Sequence, residues 1–156
     1  LNIGISEAHW PARLEKITSG LLYDKIANKF NFELILDGGH NPAAGEQIAT
    51  FLDKHASKNI IIIFSMLADK DHIQYLNHIK SKFNQIIYCP ITNAETVNFD
   101  EVKIAVDNSN LSNSESLTDA INDTTQYLST DKENLILICG SLFLAGEFLS
   151  LNHSPL

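Results

Sequence analysis

From residue 33 onward, short apolar runs alternate with longer stretches whose apolar positions recur every three or four residues. Strands are predicted over 34–36, 59–64, 85–89 and 135–139. Within them 60–64 and 135–138 are continuously apolar, as expected of strands covered on both faces. Between the strands, residues 43–55 read as a helix with Ile48, Phe51 and Leu52 on one face. Asp71 can cap a second helix running to Phe83, with Ile73, Leu76, Ile79 and Phe83 as its apolar positions. A short helix is expected over 99–106, and an Asn/Ser-rich loop or very short strand over 109–114. Ser114 or Ser116 then caps a helix to Leu128, with Leu117, Ile121, Thr124 or Thr125, and Leu128 facing inward. Gly140-Ser141 opens a last helix through Leu149. Before residue 33 the pattern is weaker: 13–18 alternates loosely, as a short edge strand would, and 23–32 fits a turn or a short helix.

Short β-branched runs alternating with amphipathic helices predict a three-layer α/β/α domain of Rossmann-like type. Its sheet should hold about six mostly parallel strands. The chain divides into a leading linker at 1–12, a domain at 13–150 and a tail at 151–156, with fraying expected from Asn152. At 156 residues this is one domain, large enough to bury about two-thirds of its unfolded surface.

Charge narrows the function. A net charge of −8 argues against nucleic acid and anionic membranes as partners, both of which need a basic face. An anionic ligand would have to be held by a few local groups. Of eleven basic residues ten are lysines, and the single arginine, Arg13, follows Trp10-Pro11-Ala12. Arginine's fork grips phosphate or carboxylate in a bidentate way that lysine does not reproduce. Cys89 and Cys139 each end an apolar run without metal-ligand spacing, so buried free thiols and a cytoplasmic setting are expected. The only methionine is Met66, and a chain starting at Leu1 suggests a fragment of a longer protein.

Three strand-to-helix turns carry candidate chemistry. The most informative is Leu36-Asp37-Gly38-Gly39-His40-Asn41-Pro42. Helix capping accounts for Asn41, Pro42 and one glycine, and it leaves Asp37 and His40 without a structural reason. In the second turn Asp71 reads as a cap, and Lys70 either offsets ligand charge or is simply solvated. In the third, Gly140-Ser141 either donates to an anion or serves as a plain N-cap. The remaining histidines lack ligand spacing, and the chain contains neither GxGxxG nor GxxxxGK[ST].

Trp10-Pro11-Ala12-Arg13, the Asp37–Pro42 turn, Ala68-Asp69-Lys70-Asp71 and Gly140-Ser141-Leu142-Phe143-Leu144-Ala145-Gly146-Glu147 together resemble a known family. It is the C-terminal domain of folylpolyglutamate synthase/dihydrofolate synthase, in the Mur ligase superfamily. The resemblance spans nearly the whole chain, with one departure: Gly39, where the family usually has alanine. It implies an ATP-dependent ligase that activates a pteroate or folate carboxylate as an acyl phosphate and joins L-glutamate to it. Carried over by motif, Arg13 and Asp37 would contact ATP, and His40 and Ser141 would bind glutamate. Asn41, Lys70 and Asp71 would line the site. Mg²⁺ ligands and the phosphate loop would belong to the protein's own N-terminal ATPase domain, absent from this chain, and a monomer is expected. Two alternatives stay open: another Mur-type amino-acid ligase, and a non-catalytic nucleotide-binding module.

Overall fold

A computed structural model describes residues 12–107 and 110–153. The linker expected at 1–12, but for Ala12, lies outside the described residues, as do Trp10, Pro11 and the last three residues of the tail.

Six strands form one sheet in the order β1-β2-β6-β3-β4-β5. They are β1 (Glu15–Ile17), β2 (Glu33–Leu36), β3 (Asn59–Phe64), β4 (Gln85–Tyr88), β5 (Leu111–Asn113) and β6 (Asn134–Cys139). β2 to β5 and β6 run parallel, and β1 pairs antiparallel with β2 at the edge, Glu15 opposite Leu36 and Ile17 opposite Leu34. The helices are α1 (Leu21–Ala27), α2 (Pro42–Asp53), α3 (His72–Ile79), α4 (Phe99–Val106), α5 (Leu117–Asp123) and α6 (Leu142–Asn152).

Alternation along each strand sends its side chains into two separate cores. Leu34, Leu36, Ile61, Ile63, Ile136 and Ile138 pack against α1, α5 and α6. Ile35, Ile60, Ile62, Phe64, Leu135 and Leu137 pack against α2, α3 and α4. β2, β3 and β6 therefore read as apolar runs, because neither of their faces meets water. Both cysteines are free and buried, and burial pushes each thiol up to about 12.

Beyond shifts of one or two residues, three element ends differ from the sequence reading. α3 stops at Ile79 rather than Phe83, because the chain turns there to bring Asn84 into two bonds with Ile60. Its N–H donates to the Ile60 carbonyl, and its side-chain oxygen accepts from the Ile60 N–H, each at 2.8 Å. Phe83 keeps its packing through the intervening turn. α5 stops at Asp123, where the hydroxyls of Thr124 and Thr125 bond back to Ile121 and Asn122 and tighten the chain into a 3₁₀ turn. Ser116 caps α5, whereas Ser114 donates to Asp123.

The third difference reverses an expectation. Asn152 does not fray: it is the last residue of α6 and is buried. Gly20, preceding α1, makes no side-chain cap. The Asn152 side chain supplies one from the far end of the chain, accepting from the N–H groups of Leu22 (2.9 Å) and Tyr23 (3.0 Å) and donating to the Ser19 carbonyl (2.8 Å). Gly20 adopts φ +125°, and a Cβ there would overlap the Asn152 amide.

Asn152→Ala should lower the unfolding free energy by about 2 kcal/mol, since it strips a buried cap of three hydrogen bonds. Chemical denaturation measures this, and a loss below ~0.5 kcal/mol would contradict the capping role. At the amino edge of the sheet, Lys58 (2.8 Å) and Lys16 (3.0 Å) hold the Glu33 carboxyl down from 4.5 to about 2. A lowered carboxyl stabilises the fold above its unfolded value and loses that contribution as pH falls through the lowered one. Glu33→Gln should therefore flatten the stability decline between pH 4.5 and about 2, read from acid titrations of wild type and variant.

Candidate functional site

β2, β6 and β3 are neighbours, so the turns that follow them emerge side by side, about 5 Å apart, at the carboxyl edge of the sheet. These are the three turns singled out in the sequence. The Asp37 N–H continues the ladder to the Ile138 carbonyl at 2.9 Å, and the Ser65 N–H reaches the Cys139 carbonyl at 3.4 Å.

In the first turn, Asn41 caps α2 by accepting from the Ala44 N–H (2.8 Å), with Pro42 at the first helical position. Asp37 does have structural work. One carboxylate oxygen accepts from the Gly39 N–H (2.9 Å), and the other accepts from the Leu14 N–H (3.0 Å). The Gly38 N–H donates to the Ala12 carbonyl (2.6 Å), so the turn and the segment bearing Arg13 are laced together. Burial raises the Asp37 carboxyl above its usual range, opposed by the two N–H donors and by the Arg13 charge. A Cβ on Gly39 would stand 2.5 Å from the Ala44 methyl, so this turn is closed on its own helix. His40 is half-buried, and its Nδ1 is buried without a hydrogen-bond partner.

In the third turn Ser141 is a buried N-cap, its hydroxyl accepting from the N–H groups of Phe143 (3.0 Å) and Leu144 (3.4 Å). Gly140 before it has φ +112°, and a Cβ would overlap the Ser65 carbonyl and the Phe64 ring. The second turn is braced from outside. Ala68 donates to the Glu95 carbonyl, and Val97 donates to the Met66 carbonyl, each at 2.9 Å. The Tyr88 hydroxyl fixes the bracing segment at Val97 (2.6 Å). Asp71 caps α3 through the Gln74 N–H (3.1 Å).

Two hollows result. One of about 340 Å³ is lined by Arg13, Asp37, His40, Asn41, Gln47 and Leu142 among others. The other, about 110 Å³, is lined by His40, Leu67, Lys70, Ser141, Leu142 and Phe143. His40 and Leu142 belong to both, so the two hollows adjoin. The structure thus gathers Arg13, Asp37, His40, Asn41, Lys70 and Ser141 on one rim. Asp71 lines neither hollow. Neither Arg13 nor Lys70 makes an ion pair among the described residues, which leaves both charges available to an anion. Among those residues, no group of three His, Cys, Asp or Glu side chains is placed to hold a metal ion.

Sequence reasoning missed Gln47, although Ala43, Ala44 and Gln47 share one helix face one turn past the cap. It quoted Glu147 within a motif but gave it no role; its carboxylate accepts from both the N–H and the hydroxyl of Thr92 (3.0 Å each) and ties α6 to the turn after β4. No local pattern announces that pairing.

Comparison with known proteins places this chain in a wider group. The family model for the Mur ligase, glutamate ligase domain matches residues 23–142. The chain is 29% identical over 144 residues to folylpolyglutamate synthase from Lacticaseibacillus casei, covering 91% of this chain and 29% of that protein. Its fold matches Mycobacterium tuberculosis folylpolyglutamate synthase complexed with ADP at a TM-score of 0.77 and 21% identity, over 97% of this chain and 34% of that one. It also matches a bifunctional folylpolyglutamate synthase/dihydrofolate synthase with Mn, AMPPNP and L-glutamate bound, at a TM-score of 0.72 and 19% identity, over 92% and 32%. The chain therefore spans about a third of the length of these proteins.

Gly140→Ala should destabilise the fold by about 3 kcal/mol, combining left-handed strain with overlap of backbone that cannot yield. Thermal unfolding reads this, and an unchanged midpoint would mean that the turn is looser than described.

Proposed function

This chain belongs to the Mur ligase, glutamate ligase domain family, and from that premise we propose that it is the C-terminal domain of an ATP-dependent ligase joining L-glutamate to dihydropteroate or folate. The observation that carries this reading is the pair of adjoining hollows, with free cationic groups in each and His40 between them. That arrangement suits two anionic reactants held side by side. The solved relative with both AMPPNP and L-glutamate bound supports the same pairing.

On this reading ATP transfers its terminal phosphoryl group to the substrate carboxylate, giving an acyl phosphate. The glutamate amine attacks that carbonyl, and phosphate leaves from the tetrahedral adduct as the amide forms. Arg13 and Asp37 serve the nucleotide: a guanidinium fork fits polyphosphate oxygens, and a carboxylate fits a ribose hydroxyl. His40 and Ser141 serve glutamate. The orphaned His40 nitrogen can bond a carboxylate or its hydration, and the Ser141 hydroxyl, already accepting two N–H groups, retains a proton to donate. Asn41 and Lys70 border the same space, Lys70 adding charge that offsets the overall −8. The rim's contribution is placement, and aligning two reactants is worth several kcal/mol of barrier.

A divalent ion fits no cluster of His, Cys, Asp or Glu among the described residues. The phosphate loop and metal ligands are placed with the N-terminal ATPase domain of the complete protein, because the sequence of this chain holds no phosphate-loop motif. The exposed apolar pair Leu142 and Phe143 beside the hollows suits closure against that domain. A monomer in the cytoplasm completes the reading.

The test is a ligation panel with the complete protein, reading phosphate release. Folate or dihydropteroate with glutamate and ATP should turn over, and the 156-residue chain alone should not. Arg13→Ala should raise the KM for ATP by about tenfold or more, and His40→Ala should do the same for glutamate. Turnover only with cell-wall peptide precursors would reassign the domain to another Mur-type ligase. The reverse pairing of the two variants would refute the assigned roles.

A further inference from the structure

The smaller hollow has two walls that come from separate elements. Leu67 and Lys70, on the turn after β3, form one; Ser141, Leu142 and Phe143, at the start of α6, form the other. At the strand ends the walls are joined by the Ser65 N–H, which reaches the Cys139 carbonyl at 3.4 Å. A second path joins them through the segment after β4. There the Ala68 N–H donates to the Glu95 carbonyl and the Val97 N–H to the Met66 carbonyl, each at 2.9 Å, with Leu67 opposite Thr96 in an antiparallel bridge. The other end of that segment is gripped by Glu147, one helical turn beyond Phe143 on α6. Its two carboxylate oxygens accept separately from the N–H and the hydroxyl of Thr92, each at 3.0 Å.

We propose that Glu147 is a positioning residue for the glutamate side of the reaction: by holding Thr92 it sets the spacing between the wall that carries Lys70 and the wall that carries Ser141. This rests on the reading of the smaller hollow as the glutamate site. Three features favour the role. Glu147 lines neither hollow, so it acts through the walls. Two donors on one residue, met by two oxygens, fix orientation as well as distance. Finally, the segment leaves the core after Ile91, with Thr92 and Asn93 exposed and Asn93 left-handed at φ 61°. The carboxylate therefore does more than packing to hold this stretch on course. The path ends on the turn bearing Lys70 and does not touch the Arg13 segment, so ATP binding is spared.

The test uses the complete protein, with glutamate and ATP varied separately, and separates reach from charge. Glu147→Asp keeps the charge on a side chain one methylene too short, and should raise the KM for glutamate by about fivefold, with the ATP KM unmoved and kcat changed by less than about threefold. Glu147→Gln keeps the reach. Its oxygen can accept from the Thr92 N–H while its amide donates to the Thr92 hydroxyl, so its glutamate KM should stay within about twofold of wild type. A defective Gln variant beside an intact Asp variant would show that the charge itself acts and would overturn the proposal. So would a rise in the ATP KM equal to that for glutamate, or wild-type kinetics in both variants. Hydrogen exchange gives a readout free of turnover: the Ala68 amide should exchange faster in Glu147→Asp and as in wild type in Glu147→Gln. Unchanged Ala68 protection in Glu147→Asp would refute the positioning role. Absence of glutamate-dependent turnover in the wild type would instead strike the functional reading, and the exchange comparison would still decide the clamp.

Discussion

β6 is the last strand along the chain and the third across the sheet, hydrogen-bonded to β2 on one side and β3 on the other. Every backbone polar group of a strand buried on both faces must find its partner in the ladder, so β6 can sit only where two parallel neighbours present matching edges. That placement puts the turn after β6 between the turns after β2 and β3. His40, Ser141 and Lys70 meet because three adjacent strands end together, and Arg13 joins them because the antiparallel β1 begins at that same edge. Remove the insertion of β6 and the rim ceases to exist as a unit.

The rim is also rigid in ways its polar residues do not reveal. Gly38 and Gly140 are both pressed against neighbouring elements, Leu142 in one case and the Ser65 carbonyl in the other. The turn after β3 leans on the segment after β4, which is itself tied to α6 through Glu147 and Thr92. Side chains carried on turns so restrained keep their relative positions. Alignment of reactants demands that property more than any single strong contact.

Much of the architecture was legible from apolar periodicity, because the central strands bury both faces and the helices flanking them bury one. The central strands announce themselves in runs of isoleucine and leucine at 34–36, 60–63 and 135–138, and Asn41, Asp71 and Ser116 announce their helices as caps. The elements that were ambiguous are those whose stability comes from elsewhere in the chain. α1 is short and has no cap of its own; it persists because Asn152 provides one, and no window of sequence around residue 21 contains that information. β1 needs β2 to be a strand at all. At the rim, the residues could be singled out by chemical type, but what each does with its hydrogen bonds could not. Asp37 was unexplained as a turn residue because its second partner, Leu14, lies 23 positions away.

The order in which these strands leave the ribosome has its own consequence. By the time β5 has emerged, β2 and β3 have each exposed an apolar strand edge, and the piece that belongs between them is still some twenty residues from being made. A nascent domain in that state carries an open slot lined with unpaired amides and carbonyls, ready to accept any extended segment of similar character. Completion of the sheet, and the docking of Asn152 onto α1 that follows it, must wait for residues 134–152. Translation, not local propensity, thus sets when this half-built molecule stops being adhesive.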